Sequence, residues 1–224
     1  MYTRESFGAP FFYLPIFIMP YPTTNATEEL PAINQILSSC GQAPVTTLDQ
    51  TNPDVAIAYD TLLQVSTEVQ AEGWTFNKEY HYEMKPSSNN QINIPNNILQ
   101  IKLTENAANR DKDGVRRSSL LYDRHNHTDQ WTADTVECDI VWKYDWVDLP
   151  KPIQSYIVAR SAAIVSSRIV GDTTQYQMLQ QQEAYMRALA LEYETQQGQF
   201  SFFGHPQGHT DYYQSYQPYQ ALRR

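Results

Sequence analysis

The hydrophobic period changes twice along this chain, and that double change limits the folds open to it. Helical spacing runs up to Gly73, period two runs from Trp74 to about Trp146, and helical spacing returns after Leu149-Pro150. A period-two block flanked by helical blocks keeps sheet and helices apart, which is the mark of an α+β fold. The economical arrangement is a discontinuous four-helix bundle with an inserted antiparallel β domain and extended terminal arms. Its expected parts are an N-terminal extension (1–27), the first half of the bundle (28–73), the inserted β domain (74–147), the second half of the bundle (148–198) and an aromatic tail (199–224).

Local signals support each element. The first helix is expected from about Glu28 to Cys40, with Thr27 as N-cap and Glu28 and Glu29 at the positive helix end. Ile33, Ile36 and Leu37 make its buried stripe, and Gly41 supplies a left-handed stop. Asn52-Pro53 reads as cap and first residue of a second helix, whose stripe is Val55, Tyr59, Leu62, Leu63, Ser66 and Val69. Trp74 and Phe76 are expected to point to one side of an extended chain. In the sheet, Tyr80, Tyr82 and Met84 alternate, as do Ile92 and Ile94, then Leu99, Ile101 and Leu103, then Val136, Cys138, Ile140 and Trp142. Asp113-Gly114 is a good type I′ turn. The third helix has Ile153, Tyr156, Ile157, Ala163 and Ile164 on one stripe, with small residues at 161–163, 166 and 167 allowing close approach. After Gly171 and a capping Asp172, the fourth helix shows Tyr176, Leu179, Glu183, Met186, Ala190 and Tyr193 on one face.

Composition narrows the function. The formal net charge is −9, which disfavours a nucleic-acid grip because such binding is driven by neutralising phosphates. The densest basic stretch (Arg110, Lys112, Arg116, Arg117) is interrupted by Asp111 and Asp113 and reads as a solvated hairpin tip. Charged residues are only 18% of the chain while Tyr occurs 16 times, a balance suited to surfaces that end up against protein. Cys40 and Cys138 make neither a disulfide framework nor a zinc spacing and are expected as buried thiols. The run from Phe11 to Met19 leaves three readings: a signal peptide, translation from Met19, or an extended arm on a neighbour. Pro10, Pro15, Pro20 and Pro22 break any helix there, and no membrane span is expected.

No phosphate loop, nucleophile elbow or zincin helix occurs. One segment offers metal chemistry: on an extended chain His125, His127 and Asp129 project to one side and make a ligand set for a metal-dependent hydrolase. The competing reading is a polar loop rich in turn formers. His205 and His209 lie in the tail, His81 stands alone among tyrosines, and Glu183 is expected to pair at a helix contact. The tail lacks period and charge but carries Phe200, Phe202, Phe203, Tyr212, Tyr213, Tyr216 and Tyr219, a set of aromatic anchors for a partner.

Several words of the chain, in order, resemble the tail tubular protein A family, the adaptors of short-tailed phages. They are Glu29-Leu30 with Ala32-Ile33-Asn34-Gln35-Ile36-Leu37, Gly41, Pro44-Val45-Thr46-Thr47-Leu48 and Gly73-Trp74-Thr75-Phe76-Asn77. Further on come Tyr122-Asp123-Arg124, Leu149-Pro150, Tyr156-Ile157-Val158, Gly171 and Glu192-Tyr193-Glu194. The resemblance covers roughly Glu29 to Phe203, with a gap between about Pro86 and Leu120. It implies a structural, non-enzymatic virion tail protein without cofactor, assembled in the host cytoplasm as a dodecameric ring. Its implied partners are the portal and the tail nozzle protein (tail tubular protein B), with DNA passing through unread. A head-completion connector of another class is the nearest alternative.

Overall fold

The structure is a computed structural model that describes residues 26–48, 52–104 and 106–198. It contains four helices and antiparallel sheets, a mixed α+β fold. In chain order these are α1 (Ala26–Ser39), α2 (Pro53–Ala71), β1 (Lys78–Met84), β2 (Ile98–Leu103), β3 (Gly114–Arg117), β4 (Leu120–Asp123), β5 (Val136–Trp142), α3 (Lys151–Ile169) and α4 (Thr173–Gly198). One sheet has the order β1-β5-β2 and the other is the β3-β4 hairpin. α3 is central among the helices, packing against α1, α2 and α4.

Most local stops and starts follow from the residues that signal them. The Asn52 side chain accepts a 3.1 Å bond from the Asp54 amide, and Pro53 opens α2. Gly41 adopts φ +76, so its own amide reaches Ser38 O and that of Gln42 reaches Leu37 O, a Schellman ending. The N-terminal end of α1 differs from expectation. The helix already begins at Ala26, so Thr27 lies inside it and is not its N-cap.

Two apolar clusters form. The first joins Ile33, Ile36 and Leu37 of α1, Val55, Leu62, Val65 and Val69 of α2, and Ile153, Tyr156, Ile157 and Val165 of α3. The second lies on the sheet and includes Met84, Ile92, Ile94, Ile98, Leu121, Trp131, Val136, Cys138 and Ile140. Each holds one of the free, buried cysteines, Cys40 in the first and Cys138 in the second.

The sheet departs from simple alternation at two bulges. Between Glu79 and Tyr82, two residues of β1 face one of β5, and His81 takes φ +57. The bulge shifts the phase, so the alternation of Tyr80 with Tyr82 and Met84 does not hold: Glu79, not Tyr80, shares the register face of Tyr82 and Met84. A second bulge at Leu99 puts Ile98, rather than Leu99, in the core beside Leu103. The chain after Gly73 is also not extended. Trp74 to Asn77 form a turn closed by the Asn77 amide on Trp74 O at 3.1 Å.

Asp113-Gly114 is not the hairpin turn either. Gly114 begins β3, and the reversal falls at Ser118-Ser119, with φ +55 at Ser118. The glycine meets a different need: a Cβ there would stand 2.7 Å from Leu103 Cγ, so only a residue without one lets β3 lie against β2.

Candidate docking surfaces

The residues proposed for metal chemistry are not brought together. Asp123, 3% exposed, pulls the following chain into a tight turn, accepting from the amides of Asp113, His125 and Asn126 at 3.0, 2.9 and 3.3 Å and from Asn126 Nδ2 at 2.7 Å. Asp123 and Thr128 then form a bridge, and His127 takes φ +54. Asp129 is taken up by Gln91 Nε2 at 2.7 Å, away from any imidazole pairing. The segment is therefore a closed turn, not the extended chain that would line up His125, His127 and Asp129. Among the described residues no group of three His, Cys, Asp or Glu side chains is placed to hold a metal ion.

The turn gives Asp123 a titration of its own. Burial pushes its carboxyl up, but the bonds from Asp113, Asn126 and His125 outweigh that and hold it below the usual aspartate range. A carboxyl lowered by folding stabilises the fold above the unfolded value of about 4 and loses that contribution as pH falls through the folded value. Urea midpoints measured across the acid range should therefore fall less steeply for Asp123→Asn than for the unaltered chain. Glu137, lowered chiefly by its 2.9 Å contact with His81, acts with the same sign and leaves a residual slope in the variant.

His81 is thus a structural residue of the β1 bulge. Glu183 lies on the supported side of α4, where its charge acts on Arg160 of α3. Arg160 also reaches Glu68 at 3.0 Å, tying α3 to α2. The seven tail aromatics, His205, His209 and the Phe11–Met19 run lie outside the described residues.

What the described residues do offer is surface for protein contact. α4 is 26 residues long yet only Ala190 and Gly198 are buried in it. Its partly covered face is the expected one, Tyr176, Leu179, Glu183, Met186, Ala190 and Tyr193. On another face Met178 (64% exposed), Tyr185 (62%) and Leu189 (37%) follow at intervals of seven and four, a second stripe left largely uncovered by the described residues. The helix has only four charged side chains, Glu183, Arg187, Glu192 and Glu194, and many glutamines. An exposed helix face normally carries more charge than this. Beside its C-terminal half lies a groove of about 480 Å³ between α4 and the start of α3.

Charge is divided as sharply as hydrophobicity. No Lys or Arg occurs between Arg4 and Lys78, so α1 and α2 present only acidic charge. Lys102, Arg110 and Lys112 instead line an open cleft of about 500 Å³ beside β2 and β3. Arg116 and Arg117 immediately precede the reversal at Ser118, where Arg116 Nη1 donates to Ile98 O at 2.7 Å and Arg117 lies 3.7 Å from the Tyr122 ring, so the four basic residues do not form one solvated hairpin tip.

Comparison with known proteins decides what kind of chain carries these surfaces. A family model described as "Tail tubular protein" matches residues 30–200. The chain belongs to the tail tubular protein family. It is also similar to Tail tubular protein A of Klebsiella phage KP34, with 26% identity over 174 residues, covering 78% of this chain and 90% of that protein. A tail tubular protein is a structural component of a phage tail, which accounts for a chain with contact surfaces. The matched span takes in all of α2, the sheets, α3 and α4. No helix among the described residues is long and apolar enough to cross a membrane.

The outer stripe of α4 was open to sequence reasoning and was missed. Met178, Tyr185 and Leu189 stand at helical intervals in the sequence, but so do Leu179, Met186 and Ala190. Spacing alone does not say which of two stripes α3 covers.

Proposed function

We propose that this tail tubular protein is a non-enzymatic adaptor. In this reading about a dozen copies form a closed ring, the usual outcome when a head-to-tail contact repeats by rotation. The ring joins the portal on one side to the nozzle protein, tail tubular protein B, on the other, and DNA leaves through it. Assembly takes place in the host cytoplasm and needs no cofactor. The family match over residues 30–200 is the observation that carries the proposal.

The division of the chain fits the role. We take the helices as a discontinuous four-helix bundle (28–73 with 148–198) that forms the ring body, with 74–147 as an inserted β domain and 1–27 and 199–224 as arms. The lack of Lys and Arg in α1 and α2 themselves suits a wall that DNA must slide past, because phosphates find few cations there to displace their counterions, and Arg160 of α3, which reaches α2, is engaged with Glu68. The aromatic tail (Phe200, Phe202, Phe203, Tyr212, Tyr213, Tyr216, Tyr219) suits a partner of different symmetry, since a segment without its own fold can settle differently at successive sites.

Single-particle imaging of the protein mixed with its candidate portal tests the proposal. The expected result is a ring seated on the portal, with the helices around the channel. Portal particles that stay bare at saturating protein would refute the adaptor role.

A further inference from the structure

We propose that the basic cleft beside β2 and β3 receives the outer face of α2 from a second copy of this chain, with Ile57 against Leu103 and with Asp54 and Asp60 against Arg110 and Lys112. The proposal rests on the ring reading and deepens it, because it names the two surfaces that repeat from copy to copy.

The two surfaces are complementary. Lys102, Arg110 and Lys112 line the cleft together with the apolar Leu103. Among the described residues no ion pair uses Arg110 or Lys112. Asp113, the carboxylate in the same lining, is already held by Arg124 Nε at 2.8 Å. On α2, Asp54, Ile57, Asp60 and Gln64 follow at intervals of three, three and four and so share one face. Neither aspartate is ion-paired among the described residues. Ile57, between them, is 36% exposed and is the large apolar side chain that α2 leaves outside.

The fold keeps these surfaces apart within one chain. α2 meets the sheet at its C-terminal end, where Gln100 Nε2 of β2 donates to Ala71 O at 2.6 Å. Ile57 lies 14 residues before Ala71, about 21 Å back along the helix. The residues lining the cleft run from Lys102 to Gly114, with none from α2. A face and a cleft held apart in one chain are left to meet between chains. Because the two surfaces differ, the contact is head-to-tail and repeats around a ring instead of closing on itself in a pair.

Nucleic acid is the poorer occupant. A duplex is held by neutralising many phosphates, whereas this cleft offers three cations beside an apolar side chain on a chain of net charge −9. An isoleucine flanked by carboxylates matches both parts of the cleft. The contact uses only the first half of α2, so α1 remains available to the channel wall.

Charge reversal in the full-length chain tests the proposal. One variant carries Asp54→Lys and Asp60→Lys, a second carries Arg110→Glu and Lys112→Glu, and a third carries all four changes. Sedimentation velocity at about 50 mM salt, where screening is weak, measures self-association. The unaltered chain should associate as concentration rises, and each double variant should associate at least about tenfold more weakly, because like charges then face each other. Mixing the two double variants in equal amounts should recover association, since every contact between unlike chains again joins opposite signs. The fourfold variant should recover it alone, and misfolding cannot produce either recovery. An unaltered chain that stays monomeric, double variants that associate as it does, or a mixture that does not recover would overturn the proposal. So would a short DNA duplex retained by the unaltered chain and lost by the Arg110→Glu, Lys112→Glu chain, because it would place nucleic acid in the cleft. Imaging with the portal keeps the two readings distinct. Bare portals count against the adaptor role, whereas rings that the Asp54→Lys, Asp60→Lys chain seats as readily as the unaltered chain overturn this contact alone.

Discussion

Removing residues 199–224 should abolish binding to the portal while leaving the helices and sheets folded. The folded half of this expectation rests on where the cores are. The described members of both apolar clusters lie between Ala32 and Ala190, outside the deletion. Far-UV circular dichroism and a urea midpoint close to that of the full chain are expected. The binding half rests on composition. The tail has three charged residues, Asp211, Arg223 and Arg224, so aromatic burial must supply most of its affinity. A buried Tyr at the centre of an interface is commonly worth about 2 kcal/mol or more when truncated, roughly thirtyfold in affinity. Four such residues exceed what an ordinary protein contact can lose and still be detected. Changing Tyr212, Tyr213, Tyr216 and Tyr219 to Ala together should then reproduce the deletion. Binding by the truncated chain with unchanged affinity, measured by co-sedimentation with portal rings, would remove the tail from the docking account.

The parts of this fold that were legible in the sequence are those decided within a few residues. Asn52-Pro53 starts a helix because both the capping oxygen and the missing N–H act on the first turn. Gly41 and Gly171 end helices because each adopts a φ that other residues resist. The strand Val136–Trp142 was legible because it lies between two neighbours and buries Val136, Cys138 and Ile140 on one face. Illegible features were settled by residues far away. Gly114 is glycine because Leu103 crowds it, not because it turns. The His125–Asp129 segment is bent because the buried carboxylate of Asp123 collects its amides, and a period-two argument has no access to that. Bulges at Tyr80-His81 and Leu99 displaced the alternation by one residue, which moves a side chain to the opposite face. For the site, sequence identified the supported stripe of α4, but the groove needs α3 in place before it exists.

Asn77→Ala should be among the most damaging single changes outside the apolar cores, lowering stability by about 4 kcal/mol. Asn77 is fully buried where the first cluster meets the sheet. Its Nδ2 donates to Gln70 O of α2 and to Trp142 O of β5, both at 2.8 Å, and its Oδ1 accepts from the Trp74 amide at 2.8 Å. Its own amide and carbonyl add a bond to Trp74 O and one from the Trp142 amide, but those survive any side-chain change. Alanine therefore takes a bond from the Trp74 amide and from the Trp142 carbonyl, while Gln70 O keeps a 3.2 Å bond from the Gly73 amide, and a buried group left without a partner costs about 1–3 kcal/mol. Asp at the same position keeps the acceptor but replaces Nδ2, the donor of both bonds, by an oxygen facing two carbonyls, and should be no better than Ala. Gln70 completes the same joint, because its Oε1 accepts from the Tyr144 amide at 2.7 Å and its Nε2 reaches Tyr144 O at 3.2 Å. The two side chains brace neighbouring positions of one chain crossing, so Asn77→Ala and Gln70→Ala together should cost less than the sum of the single changes. Urea unfolding of the two single variants and the double variant measures that shortfall. Strict additivity would mean that the helices and the sheet are held at two independent points rather than one.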